Sequence, residues 1–99
     1  HILVITGNAG STEDQFAHLF SFRGKEEMSE KIGYKYTNII MADQEIIFTD
    51  DQNCHILRKN GKEKFSFDFG KKYEYFFPAQ RDNQYFLLDG TTIKKIKIV

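Results

Sequence analysis

The stretch Asp51-Gln52-Asn53-Cys54-His55-Ile56-Leu57, continued by Asn60-Gly61-Lys62-Glu63-Lys64-Phe65-Ser66-Phe67-Asp68-Phe69-Gly70, restates a pattern met 37 residues earlier. There it reads Asp14-Gln15-Phe16-Ala17-His18-Leu19-Phe20, then Arg23-Gly24-Lys25-Glu26-Glu27-Met28-Ser29-Glu30-Lys31-Ile32-Gly33. Between Asp14–Ala42 and Asp51–Ala79, 11 of 29 positions are identical without a gap. Ordinary composition gives roughly two by chance. The match extends at both ends with small insertions. Gln84-Tyr85-Phe86-Leu87-Leu88-Asp89 follows Glu45-Ile46-Ile47-Phe48-Thr49-Asp50 at an offset of 39, and Leu3-Val4-Ile5-Thr6 precedes Ile46-Ile47-Phe48-Thr49 at an offset of 43. The extra residues fall in Gly7–Asp14, a polar stretch that reads as an exposed loop.

The repeating unit is not helical, because no segment keeps apolar residues at i, i+3, i+4 and i+7 over three turns. Short β-branched and aromatic runs alternate instead with turn residues. Ten strands are expected, at 2–6, 16–22, 26–32, 37–41, 45–49, 53–59, 63–69, 74–77, 84–88 and 92–98. Asn60-Gly61 reads as a tight hairpin, since both residues tolerate positive φ, with Arg23-Gly24 in the same place one repeat earlier and Asp89-Gly90 as another turn. Pro78 is expected just after a strand, where its missing N–H does least harm.

Four strands in 37 to 43 residues is the pattern of a β-propeller blade. Phe65-Ser66-Phe67-Asp68-Phe69 alternates as an outer strand does, with one face buried and one solvated. Asn38-Ile39-Ile40-Met41 and Ile46-Ile47-Phe48 are apolar on both faces and suit inner strands held between neighbouring sheets. The fold class is therefore all-β, with antiparallel four-stranded β-propeller-type blades, about two and a half of them. Residues 1–99 form a single segment, with repeat copies at about 14–50 and 51–89 and partial copies at both ends. If strand 74–77 is innermost, the last blade has three strands and lacks its outermost. Flat apolar blade faces need cover, so the expected partners are the rest of a larger propeller or further copies of the chain.

Composition narrows the chemistry. With 99 residues the chain is one small domain at most. Fourteen basic and 14 acidic residues cancel, which argues against a nucleic-acid footprint. One cysteine, Cys54, excludes an internal disulfide and a cysteine-based zinc site. No apolar run approaches the roughly 20 residues of a membrane-spanning helix, so direct membrane insertion of this segment is not expected. The first residues lack the basic flank of a signal peptide and start directly in a β-like run, as if cut from something longer.

Gly33-Tyr34-Lys35-Tyr36-Thr37-Asn38-Ile39, Glu45–Cys54, Gly61-Lys62-Glu63-Lys64-Phe65 and Ile93-Lys94-Lys95-Ile96-Lys97 carry a resemblance over nearly the whole chain. The chain resembles the C-terminal part of a family of propeller-like proteins of unknown function from low-GC Gram-positive bacteria. Members typically carry an N-terminal membrane anchor and an extracytoplasmic propeller. The resemblance thus implies the extracytoplasmic face of a bacterial membrane. It carries over no catalytic residue.

The chemistry-bearing residues read mostly as structural. His18 and His55 recur at like positions and are expected to pack or face solvent, since zinc wants three or four convergent ligands; no metal and no cofactor is expected. Counted from Asp50, the sixth and twelfth residues are His55 and Gly61, which breaks the EF-hand pattern. Asp50, Asp51 and Asn53 are expected to bond the local backbone of a turn. Ser21, Ser29 and Ser66 lack a nucleophile elbow. Cys54 and His55, adjacent in a strand, point to opposite faces, so the imidazole does not activate the thiol. No catalytic residue is expected and the segment is not read as an enzyme. Tyr34, Tyr36, Tyr73 and Tyr75, with Lys35 and Lys72, form an aromatic and basic group in two repeats, the best sequence-level candidates for binding. Lys94, Lys95 and Lys97 read as an edge-strand guard. The expected function is a non-enzymatic binding module whose ligand is a protein or a cell-surface polymer. The alternatives are a structural part of an enzyme whose catalytic residues lie in other blades, and a piece that only closes a ring.

Overall fold

The computed structural model of the chain describes residues 1–7, 15–42, 44–50, 52–70, 72–79 and 83–98. Among them are ten strands and no helix: β1 (Ile2–Thr6), β2 (Gln15–Phe20), β3 (Glu26–Ile32), β4 (Asn38–Met41), β5 (Glu45–Thr49), β6 (Asn53–Arg58), β7 (Glu63–Asp68), β8 (Tyr75–Pro78), β9 (Gln84–Asp89) and β10 (Thr92–Lys97). All ten expected strands form, with shifts of a residue or two at their ends. Most of the Gly7–Asp14 loop lies outside the described residues.

The strands make three antiparallel meanders in chain order. The first sheet is β1-β2-β3, the middle sheet β4-β5-β6-β7 and the last β8-β9-β10. The middle sheet is covered on both faces. Ile46, Phe48 and Leu57 join Ala17, Leu19, Met28 and Ile32 of the first sheet in one core. Ile47, Cys54 and Ile56 join Phe76, Tyr85, Leu87 and Ile98 in a second. Side chains alternate across a strand, so Ile46-Ile47-Phe48 feeds both cores in turn, each residue at most 1% exposed. Complete burial of such a side chain stabilises by roughly 1.5–3 kcal/mol. This double burial explains why the centre of β5, Ile46–Phe48, is apolar on both faces, whereas the edge strands β3 and β10 carry several charges.

Registers in the first and middle sheets agree in detail. His18 pairs with Ser29 and His55 with Ser66, and each ladder shifts at a bulge one residue on, between Leu19/Phe20 and between Ile56/Leu57. Opposite those histidines lie Val4 and Phe48, which are 44 residues apart. The offset of 43 read from the sequence instead sets Ile5 against Phe48. A slip of one residue reverses the face of every side chain. The apolar run Leu3-Val4-Ile5 carries no alternation that could have fixed the register.

The hairpins form, and one local expectation changes. At Asn60-Gly61 only Gly61 takes positive φ (89°), and Gly24 matches it at 86°. Gly61 N–H donates to Arg58 C=O at 2.9 Å and Arg58 N–H to Lys62 C=O at 2.8 Å. Gly24 with Ser21 and Ser21 with Lys25 repeat both bonds. The loop is thus three residues closed by a left-handed glycine. Pro78 is the last residue of β8 rather than beyond it. It is tolerated there because β8 is an edge strand.

The outer strand β7 alternates as expected, but its aromatic face is not fully covered: Phe67 is 51% exposed. Phe65, Phe67 and Phe69 form a ladder of rings with centroids 5.8 and 5.3 Å apart.

Candidate functional site

Where β4 and β8 begin, the middle and last sheets leave a cavity of about 290 Å³. Its apolar wall is Ile39, Ile40, Phe69, Tyr73, Phe76 and Leu87. Its polar lining is Thr37, Asn38, Thr49, Asp50 and Glu74, with Tyr75 alongside. β4 and β8 are edge strands of their sheets, which is why space remains between them. Thr37 N–H donates to Thr49 C=O at 2.8 Å and Glu74 N–H to Leu88 C=O at 2.9 Å, so both strand entries are held on their own sheets.

Asp50 is the fixed charge of this cleft. Its Oδ1 accepts the backbone N–H groups of Gln52 at 2.8 Å and Asn53 at 2.6 Å, and the Asn53 side-chain amide at 3.2 Å. Burial pulls its pKa upward, but these hydrogen bonds outweigh burial and hold the carboxyl below its ordinary value. Its Oδ2 takes one longer bond, from Asn53 Nδ2 at 3.3 Å, and so keeps acceptor capacity. Asp50 and Glu74 face a cavity whose described lining includes no lysine or arginine. The result is an aromatic cleft with an acidic rim.

The six sequence candidates divide between two places. Tyr73 and Tyr75 line the cleft, and Tyr75 is 62% exposed. Tyr34 and Tyr36 pack into the first core. Both meet the Phe48 ring edge-on, at 5.7 and 5.3 Å, and Tyr36 Oη donates to Gln15 Oε1 at 2.9 Å. Lys35 and Lys72 are exposed and do not line the cleft. Thr37, Asn38, Asp50 and Glu74 carry no shared motif in the sequence that marks them as a binding group. The one signal for them is position: Thr37 and Glu74 sit 37 residues apart, each one residue before an edge strand begins.

The histidines are held otherwise. His18 Nδ1 lies 2.9 Å from Glu26 Oε1 and 3.2 Å from Ser29 Oγ, with its Nε2 3.0 Å from Thr6 Oγ1. His55 Nδ1 lies 2.9 Å from Ser66 Oγ and 3.9 Å from Glu63 Oε1. A relay needs serine and acid on opposite ring nitrogens. At His55 both Ser66 and Glu63 meet Nδ1, whereas at His18 Ser29 and Glu26 share Nδ1 and the Thr6 hydroxyl sits on Nε2, opposite the carboxylate. Cys54 is buried, and desolvation pushes its thiol up to about 12. Among the described residues no group of three or more His, Cys, Asp or Glu side chains converges to hold a metal.

A buried polar cluster joins the middle and last sheets. Lys64 Nζ, on a side chain 2% exposed, binds Glu45, Asn83 Oδ1 and, at 3.1 Å, Tyr85 Oη. Tyr85 Oη in turn donates to Glu45 Oε1. Every member has a partner, so this cluster fixes how the sheets meet and offers no vacant group to a ligand.

No curated protein and no solved structure matches the chain. A family model does match, over residues 1–98, and the chain belongs to that family, the family of unknown function DUF5711.

Proposed function

We propose that the chain is a non-enzymatic binding module, a segment of a β-propeller-like protein built from copies of one four-strand unit. Its ligand enters the cleft between β4 and β8. The observation that carries this reading is the lining of that cleft: a wall of Phe69, Tyr73 and Phe76 under a rim that holds Asp50 and Glu74 without a described cation. Aromatic faces take the flat apolar side of a sugar ring. The carboxylates take hydroxyl and ammonium donors. The ligand class is a cell-surface polymer rich in hydroxyl and amine groups. The propeller reading is supported by three meanders stacked in chain order, by like bulges and like glycines 37 residues apart, and by inner strands apolar on both faces. Its extracytoplasmic setting, on a membrane-anchored parent, follows the resemblance of its motifs to propeller-like proteins of low-GC Gram-positive bacteria.

Titration of the chain with partly deacetylated chito-oligosaccharide, followed by NMR, tests the cleft. Shifts confined to Thr37–Ile40, Asp50 and Tyr73–Phe76 support it, with loss of binding in Asp50→Asn and Tyr75→Ala. Shifts elsewhere, or none with any amine-bearing or neutral oligosaccharide, overturn it. Binding of lysine-rich peptides alone transfers the cleft to a protein ligand.

A further inference from the structure

The last sheet pairs its strands in the same register as the middle sheet, and the cleft opens where their side chains differ. Phe76 pairs with Leu87 as Ile39 pairs with Phe48, and Glu74 N–H is tied to Leu88 C=O as Thr37 N–H is to Thr49 C=O. Leu87 therefore stands in the place of Phe48. In the first interface the Phe48 ring is 0% exposed, with the rings of Tyr34 and Tyr36 both edge-on to it. In the second, Tyr73 stands where Tyr36 does, 37 residues on, but the sequence has Lys71 at the place of Tyr34 and Leu87 at that of Phe48. Leu87 brings no ring to meet Tyr73, and it lines the cavity of about 290 Å³.

The rings lost from the floor are regained on the walls. Phe69 and Phe76 hold the places of Ile32 and Ile39, again 37 residues on. The Tyr73 ring meets Phe69 edge-on at 5.2 Å, and Phe76 lies 5.8 Å from Phe69, centroid to centroid. All three border the cavity that Leu87 lines. Aromatic walls over a short aliphatic floor suit a ring that the chain does not itself supply. Ligand sites run from about 300 to 1,000 Å³. A cavity of about 290 Å³ is at the low end and admits one ring rather than a run of polymer. At the rim, Asp50 Oδ2 takes a single long bond, from Asn53 Nδ2 at 3.3 Å, and Glu74 adds a second carboxylate. The described lining holds no cation to pair with them, so an ammonium is the complement.

We propose that the cleft is a slot for one amine-bearing six-membered ring, opened by Leu87: the ring lies over Leu87 between the aromatic walls, in the counterpart of the space that the Phe48 ring fills, and its ammonium pairs with Asp50. The inference rests on the binding reading of this cleft and narrows it. The polymer is recognised through one amino-sugar unit, and Leu87 decides the fit. The occupant is argued from the neighbouring interface, where the chain's own ring holds the equivalent place, and from the charge of the rim.

Benzylamine, a flat ring with one ammonium, and glucosamine serve as single-ring probes of the full chain, followed by NMR. Both should shift Asp50 and Tyr73–Phe76, and NOEs should join the benzylamine ring protons to the Leu87 methyls. Benzyl alcohol, which lacks the ammonium, should bind more weakly. Leu87→Phe should abolish the shifts from both probes, with an equal or higher thermal midpoint, because its ring fills the void. If that variant does not fold, the NOEs to Leu87 in the unaltered chain carry the test. No shift with either probe, shifts that persist in Leu87→Phe, or NOEs to other methyls and none to Leu87 each overturn the slot. Oligosaccharide shifts in the cleft that persist in Leu87→Phe overturn the slot and leave the binding reading in place. Benzylamine binding that needs Leu87, with no response to glucosamine or to any oligosaccharide, keeps the ring slot and overturns its carbohydrate ligand.

Discussion

The ring of Tyr34 lies flat on the ring of His55, with centroids 3.6 Å apart and planes 8° from parallel. Tyr34 follows the last strand of the first sheet and His55 sits in the middle sheet, so this stack pins one sheet to the next. The Tyr34 hydroxyl is buried without a partner among the described residues. Burial, with the nearby Glu63 carboxylate and Tyr36, raises its pKa well above the usual phenol range. An unpaired buried hydroxyl carries a desolvation cost of about 1–3 kcal/mol. Tyr34→Phe removes that cost and keeps the stack, so urea unfolding should give equal or higher stability. Tyr34→Ala should lose about 3 kcal/mol.

Gly61 and Gly24 share a backbone conformation but not surroundings. A Cβ on Gly61 would lie 2.5 Å from Glu30 Oε1 and 2.6 Å from its Cγ, whereas one on Gly24 meets nothing within 4 Å. Gly24→Ala bears only the left-handed strain, about 1–2 kcal/mol. Gly61→Ala must also displace the Glu30 side chain, and its thermal midpoint should fall further. Gly61→Ala in a Glu30→Ala background should return toward the Gly24→Ala loss.

Lys64 and Glu45 form a buried pair with Tyr85 across two sheets. Lys64→Met strands the Glu45 carboxylate and should cost about 3–5 kcal/mol. Adding Glu45→Gln removes the stranded charge and leaves an acceptor for Tyr85 Oη, so the double variant should recover part of the loss. A double-mutant cycle by urea denaturation measures the coupling.

Stability should fall as the solution is acidified past the ordinary histidine range. Burial of His55 lowers its pKa from 6.5, outweighing the upward pull of Glu63 and Asp50. The unfolded chain therefore binds that proton more tightly. The neutral ring's contribution is complete above the unfolded value, declines as pH falls through about 6.5, and levels off below the folded value. Asp50 acts lower: its folded pKa is held below 3.8, so its contribution stands above that value and is lost as pH falls through the folded one. Urea midpoints on either side of pH 6.5 should converge between the unaltered chain and His55→Gln as pH falls. An imidazole proton titration should place His55 below 6.5.

Much of the fold was legible in the residues. Ile46-Ile47-Phe48 announced a strand covered on both faces, and Gly24 and Gly61 announced matching hairpins, because burial and positive φ leave local marks. The register of β1 was not legible, since Leu3-Val4-Ile5 is apolar at every position and only pairing with β2 decides its faces. The candidate site was half legible. Tyr73 and Tyr75 stood out by residue type, but Tyr34 and Tyr36 are drawn into the core by Phe48. The Lys64, Glu45 and Tyr85 cluster left no local sign, because its members come from β7, β5 and β9 and meet only when two sheets pack.

The middle sheet is held between the two others. The most direct measurement is a side-chain NOE map of Ile47 and Phe48. Phe48 ring protons should contact Tyr34, Tyr36 and the first-sheet core of Leu19 and Met28, while Ile47 methyls contact the last-sheet core of Tyr85 and Leu87. If both side chains instead report contacts to the same sheet, or Ile47 reports only solvent, the front-to-back stack is contradicted.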